Sequence, residues 1–221
     1  MKNYLRSTAG NVKRWLYRSN SAIWFCCALT PRQEELPAGC SVEFNDFEGA
    51  LAFIKRQSAQ FPWILVPKEI EAARRWGHHF ALICSAGQVA GYIKVARRRA
   101  YVEDFDREMP LKDDEAFICD TYIAPEFRGE GLSRVLAGAA ASWLQRRGVR
   151  YLYCHIPEWN AASLALYRGL GFREIRKISH VRTCGLRFYS SQPESALLAG
   201  RSLDAPLPGE SVLPNQGGVA N

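Results

Sequence analysis

At 221 residues, with a formal charge of +7, a pI near 9.1 and 48% hydrophobic residues, the chain suits one domain plus extensions. No apolar run is long enough to span a bilayer, and seven cysteines, odd in number and without CxxC spacing, argue against a disulfide framework or a metal cluster. The basic balance favours acidic partners such as nucleic acid, phosphate groups or anionic lipid, and it equally serves plain solubility.

Residues 1–20 set Lys2, Arg6, Lys13, Arg14 and Arg18 among Tyr4, Leu5, Val12, Trp15, Leu16 and Tyr17. This basic arm either docks on the domain or touches a membrane surface. Ala22–Leu29 is a short apolar run with no small-residue cleavage site after it, so it reads as the first strand of a domain over 21–190 rather than a leader. Asn45–Arg56 has an Asn or Asp cap and an apolar stripe, which predicts a helix, and Pro67–Trp76 predicts another with Pro in its first turn. His79–Ser85 and Val89–Ala96 read as strands around a tight turn at Ala86–Gln88. Arg97–Arg99 then either meets phosphate or marks a solvated strand end. The connection from Tyr101 to Glu115 carries Glu103, Asp104, Asp106, Glu108, Asp113 and Asp114, and either attracts a cationic amine or balances nearby arginines.

The most informative stretch follows. Ala116–Ile123 is an extended apolar run, Leu132–Gln145 has a helical pattern, and Ala124-Pro-Glu-Phe-Arg-Gly-Glu-Gly131 joins them. A glycine-rich turn at a helix start leaves backbone N–H groups pointing outward at the positive end of the helix dipole, where phosphate oxygens bind. Gly129 and Gly131 lack Cβ and admit close approach to the main chain. The spacing is neither that of a P-loop nor that of the dinucleotide fingerprint. Downstream, Tyr151–Ile156 reads as a strand, Asn160 as a helix cap, Ala161–Leu170 as a short helix and Gly171 as its stop. Gly171–His180 and Thr183–Tyr189 read as the last two strands. Beyond Ser190, Ser, Pro, Gly and Ala dominate, so residues 191–221 are expected to be a disordered tail.

With these two motifs in order, the chain resembles the GNAT superfamily of acyl-CoA-dependent N-acetyltransferases, well over 80–190 and loosely over 20–80. Asn160-Ala-Ala-Ser-Leu-Ala-Leu-Tyr-Arg-Gly-Leu-Gly-Phe172 is similar to ribosomal-protein alanine acetyltransferases, whereas Asp120-Thr-Tyr-Ile123 and Glu158-Trp-Asn160 lean towards diamine acetyltransferases. The resemblance implies an α/β (α+β) fold: a mixed, mainly antiparallel sheet flanked by helices, with a splayed central strand pair holding acetyl-CoA. A backbone N–H near Tyr122 and Ile123, beside Ala124, would bond the acyl carbonyl. The amides of Arg128, Gly129, Glu130, Gly131, Leu132 and Ser133 would hold the pyrophosphate, and Asn160 and Ser163 the pantetheine arm. Glu126 stands where the family often has Gln or Arg, and Ser133 where Gly or Ala is usual.

Tyr167 corresponds to the family's general acid. Either Asp120 or His155 is the base, since an amine must lose a proton before it attacks. In an ideal strand Asp120 shares a face with Ile118 and Tyr122. Glu158 and Trp159 are candidate amine contacts. The implied reaction is direct transfer of an acetyl or short acyl group to a primary amine, without a covalent enzyme intermediate or a metal. The alternatives are a non-catalytic acyl-CoA sensor and an aminoacyl-tRNA-dependent transferase of the same fold. A small-molecule or peptide amine is the expected acceptor, with no specific nucleic acid. A cytoplasmic location is expected, with a homodimer and weak membrane contact through residues 1–20 as further candidates.

Overall fold

The computed structural model describes residues 17–30, 36–58, 67–102, 105, 107–183 and 186–201. The expectations for 1–16 and 202–221 fall outside them. The strands are β1 (Tyr17–Ala28), β2 (Cys40–Phe44), β3 (His79–Ser85), β4 (Gln88–Arg97), β5 (Arg99–Val102), β6 (Arg107–Pro110), β7 (Glu115–Ile123), β8 (Tyr151–Pro157), β9 (Arg173–Thr183) and β10 (Leu186–Tyr189). The helices are α1 (Phe47–Ser58), α2 (Pro67–Arg75), α3 (Leu132–Gln145), α4 (Ala161–Gly169) and α5 (Glu194–Arg201).

Eight strands form one sheet in the order β10-β9-β1-β8-β7-β4-β3-β2, and β5 and β6 form a separate ribbon. Every neighbouring pair is antiparallel except β7 and β8, which are parallel because α3 carries the chain back between them. One face of the sheet packs Leu136, Ala140 and Leu144 of α3 and Leu164 and Tyr167 of α4 against Phe25, Ile93, Ile118 and Leu152. The other face is covered by α1 and α2 over Phe80, Leu82 and Tyr92, and by the β5–β6 ribbon and α5 over Trp24, Phe117 and Tyr153.

Local chemistry sets the element ends. Asp46 Oδ1 accepts from Gly49 N–H at 2.9 Å and caps α1. The β3–β4 turn has Ala86 and Gly87 both at positive φ, the conformation that suits a two-residue hairpin. After α4, Phe172 N–H reaches Tyr167 C=O at 3.1 Å around Gly171, a left-handed helix stop.

The structure departs from expectation in four places. The first strand begins at Tyr17, so the boundary expected at residue 21 falls inside β1. That strand is wedged between β8 and β9, pairing Ala22–Ala28 with one and Tyr17–Cys26 with the other. The family resemblance makes the hairpin strands the second and third, but they are the third and fourth, because Cys40–Phe44 adds an edge strand that shows only a short alternation. The acid-rich connection contains the β5–β6 ribbon, and three of its carboxylates face arginines: Glu108 with Arg99 at 3.0 Å, Asp114 with Arg150 at 3.9 Å, and Glu115 with Arg201.

Finally, the expected tail disorder does not hold for Glu194–Arg201. This stretch is helical, buries Ala196 and Leu197, and seats Gly200 where an added Cβ would come within 2.5 Å of the Tyr153 ring. Composition hid it because two apolar side chains and one glycine suffice to dock a two-turn helix on a prepared surface.

Candidate active site

β7 and β8 pair only from Glu115↔Tyr151 to Ile118↔Cys154, although β7 runs on to Ile123 and β8 to Pro157. Above Ile118 the strands part. The gap is a cleft of about 180 Å³ lined by Ile118–Thr121 of β7, Cys154–Pro157 of β8, and Asn160, Ser163 and Tyr167 of the segment that follows. The expected splayed pair is therefore present, and it brings Asp120, His155, Asn160, Ser163 and Tyr167 to one opening.

A β-bulge starts the divergence. Lys94 of β4 pairs with Asp120 while Val95 pairs with Ile118, so Cys119 is the extra residue. The bulge corrects the ideal-strand expectation for Asp120. Ile118 packs with the α3 side, whereas Asp120 reaches Tyr92, which belongs to the α1–α2 side. The Tyr92 hydroxyl donates to Asp120 Oδ2 at 2.5 Å.

Above the bulge, Ala124 N–H bonds Ala90 C=O at 2.9 Å on the β4 side. Backbone groups alternate along a strand, so Tyr122 N–H also faces β4 and Ile123 N–H faces the cleft. Of the two expected carbonyl donors, Ile123 is the one on the open side. Its own carbonyl accepts from Arg128 Nε at 3.0 Å, which ties the glycine turn to the strand. The Tyr122 ring points to the other face, stacked near Tyr92, and burial raises its phenol pKa.

A short 3-10 turn at Pro125–Phe127 leads into Arg128–Gly131. Gly131 is the N-cap of α3 at φ 76°, and Gly129 stands at φ 89°. The first donors inside the helix are Arg134 and Val135, both to Gly131 C=O. The amides of Gly131, Leu132 and Ser133 precede them, in the first turn that an α-helix leaves without internal acceptors. Gly129, Glu130 and Gly131 are exposed. The set fits a phosphate-bearing acyl donor: outward amides, a positive helix end and no Cβ in the way.

Tyr167 is buried, and its hydroxyl shares a hydrogen bond of 3.0 Å with Thr121 Oγ1. Burial raises the phenol pKa well above its ordinary value, so the group carries its proton at any working pH. Asn160 Oδ1 accepts from Ser163 N–H at 3.2 Å as the cap of α4, which leaves the carboxamide's donor end unused by the cap. His155 lies in an aromatic surround, with ring centroids 5.5 Å from Trp24, 5.8 Å from Phe105 and 5.9 Å from Phe117.

Glu158 differs from its expected part. Lys177 holds its carboxylate at 2.6 Å, and hydrogen bonds from Lys177 and Ser21 lower its pKa, so the group is already engaged. Trp159 is 78% exposed at the rim. Three functional neighbours escaped sequence reasoning. Thr121 and Tyr92 hold the two titratable groups. Gln57 of α1 bridges Glu126 and the Tyr122 hydroxyl, each at 3.4 Å. Only long-range pairing identifies them, since each partner lies at least 28 residues away.

This arrangement of splayed strands and amide-lined helix start agrees with the comparisons. The family model described as acetyltransferase (GNAT) family matches residues 43–172, more than half of the chain, and the chain belongs to that family. Among curated relatives, it is 38% identical over 61 residues to the ribosomal protein bS18-alanine N-acetyltransferase of Escherichia coli K12, a match covering 28% of this chain and 41% of that protein. It is 28% identical over 102 residues to an aminoglycoside N(6')-acetyltransferase type 1 of Stenotrophomonas maltophilia, covering 46% and 63%. Thus the chain spans about two-fifths of the length of the first of these relatives. A solved GCN5-related N-acetyltransferase from Sphaerobacter thermophilus shares the fold at a TM-score of 0.56 and 15% identity, over 81% of this chain and 56% of that one. No helix among the described residues is long and apolar enough to cross a membrane.

Proposed function

We propose that this chain transfers an acetyl or short acyl group from acetyl-CoA to a primary amine by direct attack in a ternary complex. The observation that carries the reading is the opening of the β7–β8 pair above Ile118↔Cys154, beside the exposed amides at the start of α3. Acetyl-CoA, when bound, supplies an activated acyl carbonyl.

The chain's residues divide the remaining work. Amides from Gly129 to Ser133 hold phosphate, and the donor end of Asn160 faces the arm that follows. Ile123 N–H, fixed by strand alternation, is placed to stabilise negative charge on a carbonyl oxygen. Tyr167 holds a proton for a leaving thiolate, with Thr121 orienting its hydroxyl. Asp120 takes the proton of the incoming amine, directly or through water. Both Asp120 and His155 line the cleft; Asp120 is preferred because three aromatic rings pack round the imidazole of His155. Trp159 offers an exposed aromatic surface to the acceptor. The two named relatives take a protein alanine and an aminoglycoside; both are amines, and this reading keeps the acceptor at that level.

Calorimetric titration with acetyl-CoA, and with CoA as control, tests the donor site. Thiol release across polyamines, aminoglycosides and peptides with free N-termini then tests transfer. No heat at millimolar acetyl-CoA overturns the proposal.

A further inference from the structure

The strands of the main sheet do not end level at the cleft. β8 stops at Pro157, opposite Ala22, while β1 continues back from Ser21 to Tyr17 with β9 still paired to it and β10 paired to β9. At about 3.4 Å per residue, residues 17–21 carry a three-stranded wing roughly 17 Å beyond the end of β8. The wing projects from the end of the sheet where β7 and β8 part. Its base is tied to the cleft rim by Glu158, whose N–H bonds Ser21 C=O at 3.0 Å and whose carboxylate meets Lys177 of β9. Side chains alternate along β10, the last strand of the sheet. Tyr189 turns to one face, where it stacks near His180 and Phe105. Leu186 and Phe188 turn to the other face and are 63% and 56% exposed. Exposed apolar side chains grouped on an edge strand mark a surface that meets a partner.

The excess charge of the chain gathers at the same place. Residues 1–16 join the wing at Tyr17, opposite Thr183, and carry Lys2, Arg6, Lys13 and Arg14 with no acidic residue. The wing strands, residues 17–21, 179–183 and 186–189, add Arg18, Arg182 and Arg187, again with no acidic residue. These seven cations equal the formal net charge of +7. The other 22 of the 29 basic residues are matched by the 22 acidic ones, so the rest of the chain is neutral as a whole. Charge segregated in this way is the footprint of an anionic partner. Residues 1–16 also hold Tyr4, Leu5, Trp15 and Leu16, the same mixture of apolar and basic side chains that β10 presents.

We propose that this wing, with the segment leading into it, docks on an anionic lipid surface, Leu186 and Phe188 entering the boundary between headgroups and acyl chains while the basic residues meet lipid phosphates. Aromatic and aliphatic side chains beside Lys and Arg are the composition that holds a protein at this depth. Attraction to the anionic leaflet acts on the cations, and burial of apolar area adds to it. Among the described residues β10 has no strand on its outer side. Its backbone groups there stay in the headgroup layer, where water and phosphate satisfy them, rather than in the hydrocarbon core. Leu186 and Phe188 decide between anionic partners. A nucleic acid would use the arginines but offers no acyl boundary to an exposed leucine. The docked wing sets the cleft mouth at the lipid surface, with Trp159 beside it.

The test is co-sedimentation of the full chain with vesicles of equal parts phosphatidylglycerol and phosphatidylcholine, against vesicles of phosphatidylcholine alone. The expected result is binding about tenfold or more tighter to the anionic vesicles, weakening as salt rises. Leu186→Ser combined with Phe188→Ser should weaken it about tenfold at every salt concentration. Arg187→Ala should weaken it about fivefold, a loss that closes at high salt. Deletion of residues 1–16 should weaken it about 100-fold. Unchanged circular dichroism and melting temperature show that each variant folds. The measurement needs no acetyl-CoA, so it succeeds or fails apart from the proposed transfer reaction. The proposal is overturned by absence of binding to the anionic vesicles, by equal binding to both kinds, or by full affinity in the Leu186→Ser, Phe188→Ser variant. It is overturned equally if a single-stranded oligonucleotide at equal phosphate concentration displaces the vesicles. A dimer in sedimentation equilibrium that the double variant dissociates would also overturn it, since a second copy of the chain would then be the occupant.

Discussion

The lower and upper halves of the β7–β8 pair are built from the same two strands and do opposite things. Below Cys119 the strands are hydrogen-bonded in parallel register, every residue of Glu115–Ile118 is buried, and α5 is bolted on from outside. The bolt is ionic: buried Glu115 accepts from Arg201 Nε and Nη2, at 2.5 and 3.0 Å, and from the Lys112 N–H at 2.8 Å. Above Cys119 the pairing of β7 with β8 stops, Asp120–Tyr122 are half-buried, and a carboxylate, an imidazole and a phenol line the gap. Cohesion and chemistry are thus separated along one strand pair. Backbone groups that pair across strands cannot also point at a ligand, so a reacting centre between two strands requires their ladder to end.

The largest way to break this contrast acts on the closed half. Arg201→Met strands a buried carboxylate and should destabilise the fold by about 3 kcal/mol, read from urea unfolding. The kcat of the folded fraction should not change; a fall in kcat at temperatures where the variant is fully folded would show that the halves are not separate. The same bond gives a pH signature. Burial alone would raise the Glu115 pKa, but the bonds from Arg201 and Lys112 outweigh it and hold the pKa below the usual glutamate range. A depressed carboxylate contributes stability that is present above its unfolded pKa and is lost as pH falls through the lower folded value. The wild-type melting temperature should therefore drop on acidification below about pH 4, and Arg201→Met should lose much of that dependence.

Next in size is the open end. Gly131→Val places a β-branched residue at φ 76° and crowds the amide cradle, and should weaken acetyl-CoA binding about 100-fold in calorimetry. Stability should fall much less than in Arg201→Met. Tyr167→Phe keeps the packing and removes the proton, and should lower kcat about 100-fold with little change in KM. Because burial holds the Tyr167 pKa above its ordinary value, the wild-type rate should not fall with phenol ionisation near pH 10. An alkaline loss in wild type that Tyr167→Phe abolishes would contradict this. The smallest effect is that of Thr121→Val, which frees the Tyr167 hydroxyl and should lower kcat about fivefold with only a small fall in melting temperature, consistent with about 1 kcal/mol for one hydrogen bond.

Much of this was legible from residue order. The glycines at 129 and 131, the cap at Asn160 and the stop at Gly171 announced their turns, because positive φ and capping are local demands met by few residue types. The Ala86-Gly87 turn was readable for the same reason. The opened strand pair came by resemblance, since nothing in the spacing of Ala116–Ile123 reveals where a ladder ends. The bulge at Cys119 was invisible, because an extra residue in a strand looks like ordinary alternation until its partner strand is known. It reversed the face of Asp120 relative to Ile118 and gave it Tyr92 as a partner.

By itself the sequence determined the local elements, the glycine-rich turn before α3 and the residue types that line the cleft, all set by near neighbours in the chain. The tertiary structure alone decided that β1 would sit between β8 and β9, that Glu115 would meet Arg201, that Thr121 would meet Tyr167, and that a helix would form at Glu194–Arg201. Each of these joins segments at least 44 residues apart. Such contacts exist only once the whole chain has closed on itself, and no local propensity encodes them.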